Sequence, residues 1–182
     1  LPRHHGSRPC DHHFHAGPRA LASPPLRLQR LNWELPMTDT IMIINGPNLD
    51  MLGTRQPEVY GHDTLDDVEA LCRQVANEEG VWIDFRQSEG EAEIMKWIKE
   101  ARGTCAGLLI NPAGFTSTSI AILDSLLIYD RPIIEVHISP LFRRDEFRHL
   151  SYVSKAASAK IEGFGIRGYE FALRKLSEWA RG

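Results

Sequence analysis

Short strand-like segments alternate with helix-like segments along most of this chain, and that alternation restricts the fold more than any other feature. Five segments of four to seven residues have the length and flanking turn residues of buried strands. Between them, apolar residues recur at helical spacing, and glycines such as Gly80 and Gly103 follow where a helix can end. The predicted strands are residues 41–44, 81–85, 107–110, 132–138 and 160–164, and the predicted helices contain residues 65–75, 91–101, 120–129 and 169–176.

This order of elements predicts an α/β domain with a doubly wound parallel sheet. We expect the flavodoxin-like strand order 2-1-3-4-5 in one domain over residues 37–182. In such a sheet, ligands bind beyond the carboxyl ends of the strands, where the strand order reverses. Polar segments follow strands one, three and four at residues 45–48, 111–119 and 137–139, so we expect them to converge on one crevice.

Composition excludes several classes of protein. The net charge of -3 argues against a nucleic-acid-binding surface. No apolar run approaches the roughly 18 residues that a membrane-spanning helix needs. Cys10, Cys72 and Cys105 form no CxxC pair, which favours free thiols in a reducing compartment. We therefore expect a cytoplasmic protein with a small-molecule substrate and with neither nucleic acid nor membrane as a partner.

Residues 1–36 differ from the rest because they contain six of the 11 prolines, five of the eight histidines and only two acidic residues. Such a segment is expected to be a disordered tail or an addition made during cloning, with Met37 as the natural start. Residues 10–15 could bind a metal, although nothing in the segment predicts a scaffold for it. An arginine-rich transit peptide is a further alternative, but the prolines oppose an amphipathic helix.

Acid and base groups can be assigned within the expected crevice. His137 and Glu135 lie two apart on one strand and therefore on one face, so the carboxylate can orient the imidazole as a general acid. Residues 45–61 form a loop too long for a simple connection, and it contains Arg55 and Tyr60. A tyrosine, with a usual pKa of about 10, can act as a base if a cation such as Arg55 stabilises its phenolate.

Asn48 and Asn111 add neutral donors for an enolate or a carboxylate, and Arg148 adds a cation. Together these groups suit proton abstraction beside a carbonyl followed by loss of water. Asp124 is the acidic residue of an otherwise apolar helix, and the pattern alone favours a paired or solvent-facing carboxylate.

We expect no cofactor and no metal. The segment NGPN matches neither GxGxxG nor a P-loop. His62, His137 and His149 lack metal-ligand spacing.

The sequence resembles the type II 3-dehydroquinate dehydratases, hydro-lyases of the shikimate pathway and of quinate catabolism. The resemblance runs from about Ile41 to the last helix. It is carried, in order, by NGPNLDMLGTRQPEVYG, DFRQSEGEAEI, INPAGFTSTSIAILDSL, IIEVHISP and FRHLSY.

This resemblance implies a base at Tyr60, with its pKa depressed by Arg55, that removes the C2 proton of the substrate. The enolate would be stabilised through a water held by Asn48. His137, oriented by Glu135, would then protonate the departing C1 hydroxyl.

The resemblance also implies how the substrate is held. Asn111 and the backbone amides of Ile138 and Ser139 would bind its carboxylate, and Arg148 would meet a ring hydroxyl. Members of the family are similar in forming dodecamers built from trimers, in which the residue matching Asp124 reaches a neighbouring site.

Several positions depart from the family pattern. Ser117 replaces a histidine that would contact a substrate hydroxyl, Phe115 replaces a tyrosine, and residues 89–90 replace an Asn-His pair. These changes leave two alternatives to 3-dehydroquinate dehydration: a hydro-lyase for a related cyclic hydroxy acid, and a catalytically silent ligand-binding protein.

Overall fold

A computed structural model describes residues 39–56 and 61–182. Within that part of the chain, five strands form one sheet: β1 (Thr40–Asn45), β2 (Trp82–Gln87), β3 (Gly107–Asn111), β4 (Ile133–His137) and β5 (Ala159–Glu162). All neighbouring strands are parallel, and their order is β2-β1-β3-β4-β5. The predicted flavodoxin-like topology is therefore confirmed. The expectations for residues 1–36 lie outside the described residues and stay predictions.

Helices cover both faces of the sheet: α1 (Leu65–Glu79), α2 (Glu91–Ala101), α3 (Ile120–Leu127) and α4 (Arg167–Ala180). Ile41 and Ile43 of β1 belong to the apolar core beneath α1 and α4. Met42 and Ile44 belong to the core beneath α2 and α3. Burial on both faces explains why this strand is an unbroken apolar run, as is usual for a central strand of a parallel sheet.

None of the helices within residues 39–56 and 61–182 combines the length and the apolar character needed to cross a bilayer. Cys72 and Cys105 are buried free thiols in the two cores.

The beginning of α1 shows how local chemistry defines an element. Thr64 is the N-cap of this helix. Its hydroxyl oxygen accepts from the backbone N–H of Asp67 at 3.2 Å, while the Asp67 carboxylate accepts from the backbone N–H of Thr64 at 2.8 Å. The helix ends at Gly80, which adopts a left-handed φ of 70°.

Most predicted boundaries differ from the observed ones by one or two residues, and two of the differences have a clear physical cause. α3 ends at Leu127 rather than at 129, because Tyr129 turns inward and its hydroxyl donates to the backbone oxygen of Cys105 at 3.1 Å. β5 ends at Glu162 because Gly163, with φ of 85°, leaves the extended conformation. After β4, the chain forms two short 3-10 helices, Leu141–Arg143 and Glu146–Arg148.

The outer surface of α3 stays apolar and exposed in the single chain. Ile122 and Leu126 are buried against the sheet, whereas Ile120, Leu127 and the adjacent Ile128 are 57%, 62% and 50% exposed. A helix that is apolar almost all round is typical of one covered on both sides, by the sheet and by another layer or subunit. Within the described residues, only the sheet-facing side is covered.

Candidate active site

A cavity of about 210 Å³ lies at the carboxyl ends of β1, β3 and β4. Residues from all three polar segments line it, as expected where β1 and β3 lie side by side at the reversal of strand order. The predicted site residues on its wall are Asn48, Arg55, Asn111, His137, Ile138, Ser139 and Arg148. Leu49, Leu52 and Leu141 supply apolar surface between these polar groups.

β4 brings Glu135 and His137 to one side of the sheet, because alternate residues of a strand point the same way. The Nε2 of His137 lies 2.6 Å from Oε1 of Glu135. Glu135 is fully buried, whereas His137 forms part of the cavity wall. The carboxylate thus engages one ring nitrogen from behind, which leaves Nδ1 as the nitrogen that can serve a ligand.

Three hydroxyl groups complete the surroundings of the Glu135 carboxylate. The Thr116 hydroxyl donates to it at 2.5 Å, Ser151 donates at 2.8 and 3.0 Å to its two oxygens, and Ser154 donates to Oε2. Burial by itself raises the pKa of Glu135, but the hydrogen bond and charge of His137, followed by the hydroxyls of Ser154 and Thr116, lower that pKa to about 2. None of the three hydroxyls was predicted from the sequence as part of the site, although Ser151 belongs to the FRHLSY segment.

A second buried polar group lies beneath the cavity. The hydroxyl of Tyr169 donates to Oδ1 of Asn45 at 2.7 Å and accepts from Nδ2 of Asn111 at 2.8 Å. Asn45 and Asn111 are register partners at the ends of β1 and β3. Oδ1 of Asn111 also accepts from the backbone N–H of Ala113 at 3.2 Å, so the orientation of this amide is set by the protein. One N–H of Asn111 stays available for a ligand, since a carboxamide carries two.

The loop that carries Asn48 is attached to both neighbouring strands. Asn48 has a left-handed φ of 64°, and its backbone N–H donates to Oε1 of Glu89, beyond the end of β2, at 2.8 Å. Gly46 donates its backbone N–H to Asn111 at 2.8 Å. A Cβ at Gly46 would lie 2.6 Å from the backbone oxygen of Pro112, so only glycine permits this approach.

Arginine side chains dominate the charge of the cavity wall. Arg55 lies on the exposed part of the loop, and Arg148 lies 3.8 Å from the carboxylate of Asp145. Arg144, which the sequence analysis did not identify, also lines the cavity and donates to the Ser139 hydroxyl at 3.3 Å. Guanidinium groups favour an anionic ligand such as a carboxylate.

Among the described residues, Glu135, Ser117 and Asp124 are the predicted site residues that do not line this wall, and Glu135 lies buried behind His137. Ser117 lines an adjacent cavity of about 310 Å³, with its hydroxyl 3.5 Å from the backbone oxygen of Arg148. Asp124 is exposed on α3. Tyr60 lies outside the described residues.

No group of three or more histidine, cysteine or acidic residues in the two described ranges is arranged to hold a metal ion. The polar groups of the cavity are instead amides, guanidiniums, hydroxyls and one imidazole.

Comparison with known proteins shows the family to which the chain belongs. The profile of the family "Dehydroquinase class II" matches residues 39–177. The chain belongs to the class II dehydroquinase family. A 3-dehydroquinate dehydratase of Cereibacter sphaeroides is 51% identical over 146 residues, covering 80% of this chain and 99% of the relative. A 3-dehydroquinate dehydratase 2 of Agrobacterium fabrum is 56% identical over 134 residues, covering 74% and 91%.

Solved structures agree with this class II dehydroquinase assignment. The type II dehydroquinase from Propionibacterium acnes superposes with a TM-score of 0.74 and 42% identity, covering 78% of this chain and 98% of the other. The type II dehydroquinase from Butyrivibrio crossotus gives a TM-score of 0.73 and 35% identity, covering 77% and 97%. Because the class II dehydroquinases are lyases, the chain is an enzyme of that class.

The link through Tyr169 generates a prediction about stability. Tyr169→Phe should lower the free energy of unfolding by about 1 to 3 kcal/mol, because Asn45 loses a donor and Asn111 loses an acceptor inside the core. Tyr129→Phe is the matched control, since its buried hydroxyl serves the single backbone oxygen of Cys105. Urea unfolding of both variants measures the difference. A loss at Tyr169 no larger than that at Tyr129 would contradict the bridging role.

Proposed function

We propose that this class II dehydroquinase dehydrates 3-dehydroquinate to 3-dehydroshikimate. The observation that carries the proposal is the buried Glu135–His137 pair at the wall of a cavity whose other polar groups are mainly amides and guanidiniums. The names of the Cereibacter and Agrobacterium relatives support the same substrate. The catalytic roles given below are part of the proposal.

The proposed reaction is an anti elimination through an enolate. Tyr60, as phenolate, takes the proton from C2, and the electrons of that C–H bond form the enolate of the neighbouring ketone. Collapse of the enolate breaks the C1–O bond, and His137 gives its proton to the departing hydroxyl, which leaves as water. The role of Tyr60 is supported by the resemblance and by Arg55, which lies five residues earlier in the same loop and lines the cavity.

His137 can donate its proton in a defined direction. Glu135 retains the Nε2 proton through a 2.6 Å contact, so Nδ1 is the nitrogen proposed to protonate the leaving group. An imidazolium is a suitable general acid near neutral pH. Glu135 is therefore proposed to orient His137 without touching the substrate.

The remaining groups are proposed to bind the substrate. Asn111 has one N–H to offer, and the backbone amides of Ile138 and Ser139 lie on the same wall, so these three are assigned to the carboxylate. Asn48 is assigned to the water that stabilises the enolate. Arg148 is assigned to a ring hydroxyl.

We also propose a homododecamer built from trimers, in the cytoplasm. The exposed apolar residues Ile120, Leu127 and Ile128 support burial of α3 by another subunit, because contiguous apolar surface is costly in water. Asp124 lies exposed on the same helix, where it could reach a neighbouring active site. The buried free thiols Cys72 and Cys105 suit a reducing compartment.

The activity and its base are tested together. Purified protein should convert 3-dehydroquinate to a product with conjugated-enone absorbance, and Tyr60→Phe should lower kcat at least about a hundredfold because it removes the proton acceptor. Tyr152→Phe, whose ring lies near Lys155 and away from the cavity wall, is the control and should retain activity. No absorbance change with the parent would refute the proposed substrate, and Tyr60→Phe activity within threefold of the parent would refute the base.

The subunit boundary is tested by mixing variants. Asp124→Asn and Tyr60→Phe assemblies should each be slow, and subunits mixed in equal amounts should regain about a quarter of the parent activity if sites combine residues of two chains at random. A mixture of Tyr60→Phe with His137→Ala is the control, since both residues are proposed to serve one chain's site. A monomer mass in light scattering, or no difference between the two mixtures, would contradict the proposed assembly.

The alternative of a related cyclic hydroxy acid is favoured by one observation: Ser117 lines the adjacent cavity rather than the catalytic one. If Ser117 merely lacks a hydrogen bond to 3-dehydroquinate, Ser117→His should raise kcat/KM several-fold to about a hundredfold. Thr118→His places the same imidazole on the next residue of that cavity and is the control. No gain with 3-dehydroquinate and a loss with a bulkier hydroxy acid would favour the alternative.

A further inference from the structure

Glu135 is a charged group that the protein interior holds without direct access to water. Its side chain is fully buried on β4, between Ile110 of β3 and the neighbouring strand β5. A buried carboxylate is tolerated only when charged or polar partners replace the hydration that it has lost. The acid-base pair with His137 provides one such partner, and the rest must come from elsewhere in the chain.

The three hydroxyls supply the missing partners. The Ser151 oxygen accepts the backbone N–H of Ser154 at 2.9 Å, and the Ser151 hydroxyl donates to the two Glu135 oxygens at 2.8 and 3.0 Å. The Ser151 and Thr116 hydroxyl oxygens also lie 2.8 Å apart, so they contact each other as well as the carboxylate. Thr116 and Ser154 also donate to the carboxylate. With His137, four donors surround two oxygens, which matches the acceptor capacity of an ionised carboxylate.

The hydroxyls come from two separate segments that are attached to each other. Thr116 belongs to the 3-10 helix Ala113–Ser117. Ser154 lies within the 3-10 helix Val153–Lys155, and Ser151 lies just before it. The backbone oxygen of Thr116 accepts from the backbone N–H of Tyr152 at 2.7 Å. That contact keeps the three donors on one side of Glu135 while His137 occupies the cavity side.

Other charged groups on the surrounding elements have partners elsewhere or face outward. Lys160 is the register neighbour of Glu135 on β5 and pairs with the Glu162 carboxylate at 2.9 Å. Lys155 is exposed above the ring of Tyr152, and Asp124 is exposed on α3. Arg148 lines the cavity beside Asp145. Among the described residues, His137 is thus the titratable group that contacts Glu135 directly.

From this geometry we infer that Thr116, Ser151 and Ser154 are positioning residues of the reaction: they hold Glu135 as a carboxylate, and Glu135 in turn holds His137 as the proton donor. The inference rests on the proposed function for its catalytic meaning. None of the three hydroxyls lines the cavity, so each acts through Glu135 rather than on the substrate.

Loss of one hydroxyl has a defined consequence. A hydrogen bond to a charged group is worth enough to move a titration by roughly one to two pH units. Without it, Glu135 takes up a proton at higher pH, and the protonated carboxyl no longer attracts the imidazolium. Because the folded-state pKa of Glu135 lies below its ordinary value, its ionised form favours folding above about pH 4.5, and this contribution is lost as pH falls toward about 2. The variants should lose it earlier on acidification.

Thr116→Val and Ser154→Ala are the variants that test the inference. Infrared difference spectra can follow the carboxyl band of Glu135, which is identified by its absence in Glu135→Gln. In both variants this band should titrate about one to two pH units above its position in the parent. Thr116→Ser keeps the hydroxyl and should titrate like the parent. Ser177→Ala removes another buried hydroxyl, which donates to the backbone oxygen of Leu173, and should also titrate like the parent.

In Thr116→Val and Ser154→Ala, the acidic limb of the pH profile of kcat should move to higher pH. In Thr116→Ser it should stay where it lies in the parent. An unchanged Glu135 titration in both Thr116→Val and Ser154→Ala would overturn the inference, as would an equal shift in Ser177→Ala. Ser154 is half-buried, so its truncation keeps the test open if Thr116→Val does not fold. The infrared titration needs no substrate, so a parent without turnover would refute the proposed function and leave this result standing on its own.

Discussion

The parallel alignment of β1, β3 and β4 is the constraint on which the site depends. Parallel strands end on the same edge of the sheet, and the register pairs Asn45 with Asn111 at the ends of two of them. The loops that follow must therefore crowd together, and Gly46 allows the closest of these contacts, against Pro112. A cavity at this edge follows from the direction and register of the strands before any side-chain chemistry is considered.

Buried polar groups at that edge need hydrogen-bond partners, and those partners determine the charge and orientation of the groups at the site. Glu135 is acceptable in the interior because the imidazole of His137 and three hydroxyls donate to it. Tyr169 plays the corresponding part for Asn45 and Asn111, where one phenol both donates and accepts. The two groups differ in purpose. The first keeps a charge behind the proposed acid, and the second sets the orientation of an amide at the cavity wall.

Glu89 and Ser117 distinguish this chain from the pattern of the family that it resembles. The Glu89 carboxylate accepts from the backbone of Asn48 and from the side chain of Gln87, both at 2.8 Å, and so ties the loop after β1 to the end of β2. Ser117 lies beside the catalytic cavity, in contact with the backbone of Arg148. Glu89 thus holds a loop that lines the cavity, whereas Ser117, which is smaller than a histidine, leaves more space in the adjacent cavity.

The sequence by itself determined the order of the elements, the parallel sheet and the polar segments that meet at its edge, because periodicity and turn residues act over short stretches and parallel strands share one carboxyl edge. It also identified the pairing of Glu135 with His137, which are neighbours on one strand face. Only the tertiary structure decided which hydroxyls reach Glu135, since Ser151 and Ser154 lie 16 and 19 residues away along the chain. The same is true of Tyr169, which meets Asn45 across 124 residues, and of Arg144 beside Ser139. Such contacts depend on how whole elements pack, and no local pattern of residues encodes that packing.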